Sequence, residues 1–132
     1  MNIRRKRILV LAADERVLTD LQESLEHQGF DTTASWDAAE AMQFARTRQF
    51  DLLLIGDHPW QVTSSEILKE LQCSRVSIPC VILQAKDSTF DSEYFYSLGA
   101  SGVISHRKLY DIARWVQDYF DIRAAAAGNK AG

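Results

Sequence analysis

Cysteine is scarce in this chain: Cys73 and Cys80 are its only two, and they stand alone. They form no CxxC pair and no histidines cluster beside them, which excludes a disulfide framework or a zinc site as the organising principle. Cys80 lies in an apolar run and reads as a small core residue. No apolar stretch reaches the roughly 20 residues that a membrane-spanning helix needs. The start carries no apolar segment of the secretory kind, so a cytoplasmic protein with no membrane partner is expected. A basic excess is also lacking. With 15 Lys and Arg against 18 Asp and Glu the formal net charge is −3, and nucleic-acid binding, which rests on neutralising phosphates, is not expected of this domain. The one basic run, Arg4 to Arg7, reads as a solvated entry to the apolar stretch that follows it.

What remains is 132 residues, 46% of them apolar, enough for one domain that buries its own core and too few for a second. The domain is expected over residues 1–123, with 124–132 (AAAAGNKAG) as a flexible tail. Ile8 to Ala13 is an apolar run of strand length, followed by a helical pattern with Val17, Leu18, Leu21 and Leu25 on one face and Gly29 at its end. Phe30 to Ser35 alternates, setting Phe30, Thr32 and Ala34 against a wetter face of Asp31, Thr33 and Ser35. Asp37 then caps a helix with Ala38, Ala41, Met42 and Ala45 inward. Leu52 to Ile55 is unbroken apolar sequence, which suits a central strand covered on both faces. Ser64 or Ser65 opens a third helix through Leu71, and Ile78 to Leu83 is the next strand. Asp87 or Ser88 begins a fourth helix that stops at Gly99; Val103 and Ile104 mark a fifth strand, and Leu109 to about Arg123 a last amphipathic helix. Strands alternating with helices in units this short imply right-handed crossovers and a three-layer α/β sandwich. Its doubly wound parallel sheet of five strands takes the flavodoxin-like order 2-1-3-4-5.

The segments ILVL, QGFDTTASWDAAEAM, FDLLLIG, SEILKEL, IPCVILQAKD and LGASGVIS follow one another over residues 6–123 in a way that resembles bacterial response-regulator (CheY-like) receiver domains. The resemblance implies a phosphorylation switch. An aspartate at the end of the third strand accepts a phosphoryl group, an acidic pair after the first strand holds Mg²⁺, and a Ser or Thr and a Lys after the fourth and fifth strands bind the phosphoryl oxygens. On that pattern the acidic pair falls on Ala12 and Ala13, the acceptor on Gly56, the Ser or Thr on Gln84, the Lys on His106, and the aromatic switch residue on Val103. Ala offers Mg²⁺ no oxygen, and Gly has no side chain to become an acyl phosphate. The expectation is therefore a degenerate pseudo-receiver, not an enzyme, without metal or cofactor, acting through protein–protein contacts in bacterial signal transduction.

One alternative keeps the chemistry: a site shifted by one residue onto Asp14 and Asp57. Successive strand side chains point to opposite faces, so the shift needs a bulge at Gly56, which glycine permits. A flavodoxin-like cofactor site is disfavoured because AADER after the first strand sets two carboxylates where a phosphate would bind. Gln84 is a candidate to fill the vacated pocket with its amide, and His106 is a candidate pH or ligand sensor there. His27 and His58 read as solvated.

The last helix has a complete core stripe in Leu109, Ile112, Ala113, Val116 and Phe120, which places Trp115 and Ile122 to one side and Tyr119 on the margin. On the fourth helix Phe90, Tyr94 and Leu98 are assigned inward and Tyr96 outward. By resemblance the family pairs through the face of the fourth helix, fifth strand and fifth helix. Tyr96, Val103, Trp115, Tyr119 and Ile122 thus form a candidate interface for a protein partner or a second copy, aromatic residues being frequent interface anchors.

Overall fold

The computed structural model describes residues 5–12, 14–56, 64–74, 76–84, 92–105 and 109–131. Five strands, β1 (Arg7–Leu11), β2 (Asp31–Ser35), β3 (Leu52–Gly56), β4 (Cys80–Gln84) and β5 (Gly102–Ser105), form one parallel sheet in the order β2-β1-β3-β4-β5. Five helices alternate with them: α1 (Glu15–His27), α2 (Ala38–Thr47), α3 (Ser64–Cys73), α4 (Ser92–Ser97) and α5 (Leu109–Ala131). This is the doubly wound arrangement expected from the alternating periodicities. In β3, Leu52 and Leu54 enter one apolar cluster with Leu18, Leu21 and Leu25 of α1 and Ile112, Ala113 and Val116 of α5. Leu53 and Ile55 enter the other, with Met42 of α2, Ile67 and Leu71 of α3 and Phe95 of α4. The unbroken apolar run follows directly, since a strand between two helix layers has no wet face.

Local chemistry sets the element ends. The Asp14 carboxylate accepts from the Arg16 and Val17 amides, and Asp37 accepts from Ala39, satisfying first-turn donors of α1 and α2. After α1 and α4 the chain turns through Gly29 at φ 103° and Gly99 at φ 102°, a region that favours glycine.

Several expectations are corrected. Val17 is exposed and α1 buries Leu18, Leu21 and Leu25 alone. Ser35, assigned to the wetter face of β2, is buried, because its hydroxyl donates to the Asp37 carbonyl at 3.0 Å or to the Glu40 carboxylate at 2.8 Å. β4 starts at Cys80 rather than Ile78, and burial there pushes the Cys80 thiol up to about 12. On α4 the fully buried residue is Phe95; Tyr94 and Leu98 are only half-buried, and Asp87, Ser88 and Phe90 lie outside the described residues. Beyond Arg123, where the domain is expected to end, α5 continues to Ala131, as the high helix propensity of an alanine run favours.

Trp115, set to one side of the core stripe in the sequence, lies against the sheet. Its ring is half-buried over β5, so close that a Cβ built on Gly102 would lie 2.5 Å from its Cη2 atom. Glycine at 102 is a packing requirement of that ring. Gly102→Ala is therefore expected to destabilise the fold by about 1–3 kcal/mol through overpacking. In a Trp115→Leu background the same substitution should cost distinctly less, a coupling measurable by denaturant unfolding in a double-mutant cycle. Equal costs in both backgrounds would show that the ring does not rest on residue 102.

Candidate functional site

In open parallel sheets ligands bind beyond the carboxyl ends of the strands. Here that edge is formed by Ala12 after β1, Gly56 at the end of β3, Gln84 at the end of β4 and Ser105 at the end of β5. The strand register brings them together, Leu11 pairing with Ile55, Gly56 with Leu83 and Gln84 with Ser105. The Ala12 amide donates to the Ser35 carbonyl at 3.2 Å, which carries the sheet one residue past β1.

At the centre of the edge the chain is closed by hydrocarbon. Position 56 alternates with Leu52 and Leu54, and so lies on the α1 and α5 side of the sheet, where Ala12 is buried in the same cluster. A Cβ built on Gly56 would stand 3.3 Å from the Ala12 Cβ and 3.6 Å from the Leu11 carbonyl oxygen. A side chain at 56 would begin in tight contact with the Ala12 methyl. The family's Mg²⁺ does not fit these residues: Ala12 and Gly56 carry no oxygen side chain, and the Asp14 carboxylate is engaged with the amides of its own helix at 2.9 and 3.3 Å. Among the described residues, no three His, Cys, Asp or Glu side chains gather as a metal site.

Gln84 is half-buried, and its Oε1 accepts from the Ser92 hydroxyl at 3.4 Å, a long bond between the end of β4 and the first residue of α4. The expected amide filler is thus directed toward α4. The other end of α4 is also held. Gln72 of α3 donates its side-chain amide to the Leu98 carbonyl at 2.7 Å. Ala13, Asp57 and His106 lie outside the described residues, as does His58. The edge thus brings together Ala12, Gly56 and Gln84 of the positions singled out in the sequence.

The candidate interface residues fall on and around β5. Tyr96 is 50% and Ile122 70% exposed, whereas Val103, Trp115 and Tyr119 are half-buried. Trp115 stacks on Tyr119, ring centroids 5.7 Å apart and planes 9° from parallel, and Arg123 donates to the Tyr119 hydroxyl at 3.0 Å. The sequence reading missed Trp36, 61% exposed and directly after β2 at the same edge as Ala12. Its place between the alternating strand and the capping Asp37 was the available signal. Gln72 was missed as well, because a contact from one helix to the carbonyl of another leaves no local pattern. An open groove of about 650 Å³, lined by Arg46, Arg48, Asp51 and Ser77, lies at the opposite end of the strands. It is remote from the edge where the family's chemistry would lie.

No family model matches the chain. Over 95 residues it is 34% identical to the alkaline phosphatase synthesis transcriptional regulatory protein PhoP of Bacillus subtilis, covering 72% of this chain and 40% of that protein. The chain thus spans about two-fifths of that relative's length. Among solved structures, the Francisella response regulator 1452 receiver domain superposes with a TM-score of 0.79 at 22% identity, covering 90% of this chain and 99% of that one. A CheY-like receiver domain from Methanospirillum hungatei superposes with a TM-score of 0.80 at 19% identity, covering 93% and 99%. Since both receiver structures are spanned almost end to end and the sequence likeness is to a regulatory protein, this chain belongs to the response-regulator receiver domains, CheY-like in fold.

Proposed function

We propose that this domain is a pseudo-receiver: a phosphorylation-independent protein–protein interaction module in bacterial signal transduction or regulation, neither an enzyme nor a binder of metal or cofactor. The observation that carries the reading is the approach of position 56 to Ala12. Where the family implies a nucleophile facing a metal-binding carboxylate, this chain has a bare Cα beside a buried methyl. Phosphoryl transfer needs an oxygen nucleophile and counter-charge for the transferred group, and those two positions supply neither. The two attachments of α4, to Gln84 and Gln72, support a face held in one arrangement without a phosphoryl group to set it. The likeness to a transcriptional regulatory protein supports a place in regulation, and the exposed Tyr96 and Ile122 support an interaction role for the α4–β5–α5 face. Its partner is a second copy or another regulatory protein.

Two outcomes test this. Millimolar Mg²⁺ with acetyl phosphate or beryllofluoride should leave the melting temperature unmoved, because a ligand stabilises the native state only to the extent that it binds it. A hydroxylamine-sensitive phosphate adduct found by mass spectrometry would overturn the reading, and its mapping to Asp57 would establish the shifted site.

Gly56→Asp should lower stability by about 1–3 kcal/mol, since it packs a carboxylate against the Ala12 methyl. Restoring Ala12→Asp, Ala13→Asp and Gly56→Asp together adds mutual repulsion, which Mg²⁺ should partly relieve. A triple variant melting at or above the parent without metal would show that the vacated edge tolerates charge.

A further inference from the structure

At the amino ends of β3 and β4, α2 and α3 both finish, and the open groove of about 650 Å³ lies there. Its walls come from the last turn of α2, the chain leading into β3 and the chain between α3 and β4. The charges around it are settled except one. The Asp51 carboxylate accepts from the Arg7 amide at 2.8 Å, and Arg46 pairs with Glu70 at 2.7 Å. Among the described residues the Arg48 guanidinium has neither an anion nor a hydrogen-bond acceptor. It lies over the Phe44 ring, 4.4 Å from the centroid, which holds the group in place while its N–H donors stay unused.

The groove offers acceptors as well. The Ala45 and Arg46 carbonyls belong to the last turn of α2, and among the described residues neither accepts a backbone N–H. The Ser77 hydroxyl, which donates or accepts, lines the groove beside them. Free carbonyls and the partial negative charge at a helix end disfavour a bare anion such as phosphate, which brings acceptors only. A polypeptide brings both kinds of group, a carboxylate for the guanidinium and amide N–H donors for the carbonyls. The hollow is also longer than one side chain needs. It shares Val76, Ser77 and Ile78 with a second hollow of about 320 Å³, walled by Leu71, Pro79 and Leu98, where an apolar side chain next to the acid can be buried.

We infer that this groove binds an extended segment of a partner protein in which a Glu or Asp stands beside a large apolar residue. The carboxylate sits on Arg48, the neighbouring amides donate to the carbonyls at the end of α2, and the apolar side chain enters the second hollow. The site lies at the opposite end of the strands from Ala12 and Gly56, so it goes beyond the pseudo-receiver reading as a further contact surface, and phosphorylation of the chain would leave it standing.

Titration of the isotope-labelled whole chain, read by its backbone amide signals, tests it with three probes: the acetylated and amidated peptide Ala-Leu-Glu-Leu-Ala, the same peptide with Gln for Glu, and inorganic phosphate. The Glu peptide should move the signals of Ala45, Arg46, Arg48, Ser77 and Ile78. The Gln peptide should bind about fivefold or more weakly, since it loses a charge-assisted bond, and added salt should narrow that difference. Arg48 is exposed, so Arg48→Gln should leave the melting curve nearly unchanged while removing the preference for Glu over Gln; Arg48→Lys, which keeps the charge, should retain part of it. Absence of binding by the Glu peptide at millimolar concentration, equal binding of the two peptides, or an undiminished preference in Arg48→Gln would each overturn the site. So would phosphate that displaces the Glu peptide and moves the same signals as strongly, since the groove would then hold an anion and not a peptide. Shifts confined to Tyr96, Trp115 and Ile122 would overturn it too, by placing the peptide on the other face.

Discussion

The fold depends on β3 being dry on both faces. Leu52, Leu53, Leu54 and Ile55 are all essentially without solvent exposure, and their alternation feeds two separate apolar clusters, one under α1 and α5 and one under α2, α3 and α4. Burying such a side chain contributes about 1.5–3 kcal/mol, so a slip of β3 by one residue would exchange four large side chains between layers that are each packed for the others. That constraint fixes which face the end of the strand presents. Position 56 has to lie beside Ala12, and the chemistry open to that pair follows from a methyl group and a bare Cα.

With no side-chain oxygen at Ala12 or Gly56, that part of the sheet edge carries no charge. Carboxylates packed close together oppose folding until a cation joins them; a methyl against a glycine Cα needs no such partner. The chain uses the polar groups it retains nearby for structure. Asp14 and Asp37 cap helices, Ser35 bonds within the β2–α2 turn, and Gln84 reaches Ser92 at the start of α4. Together with the bond from Gln72 to the Leu98 carbonyl, this ties the short α4 to the sheet at one end and to α3 at the other. A helix of six residues has little stability of its own, so these attachments and the burial of Phe95 are what hold it.

Elements whose sequence has one dominant period were legible before any coordinates. Leu18, Leu21 and Leu25 repeat at helical spacing, Leu52 to Ile55 run without a polar break, and Gly29 and Gly99 fall where the backbone turns left-handed. The sheet order followed from strict alternation of strand and helix. What failed was decided by single contacts. Ser35 looked like a solvent residue by alternation and is buried because Glu40, five residues on, accepts a hydrogen bond from its hydroxyl. Phe95 displaced Tyr94 and Leu98 from the centre of the α4 core face, since one turn and a half of helix gives too short a stripe for periodicity to choose. The vacated positions of the site, Ala12 and Gly56, were legible from resemblance alone, yet their mutual approach is a tertiary fact. Gln72 and the Trp115–Gly102 contact had no local signature at all.

α5 shows how one helix divides its duties along its length. Over the sheet it must bury Ile112, Ala113 and Val116, and there the aromatic Trp115 is drawn onto the edge strand, filling the space that Gly102 leaves. An edge strand exposes unpaired backbone groups and is safer covered, so a ring in that position protects β5 before it can serve any partner. A side chain already used this way has less surface left to bury on association than its size implies. Interaction energy must then come from the part of the helix that has outrun the sheet. There Ile122 and Ala124, Ala125 and Ala126 are exposed and the helix is sustained by propensity rather than by core contacts. The division follows from the length mismatch between α5 and the strands: the same side of one helix is core cover at Trp115 and free surface at Ile122.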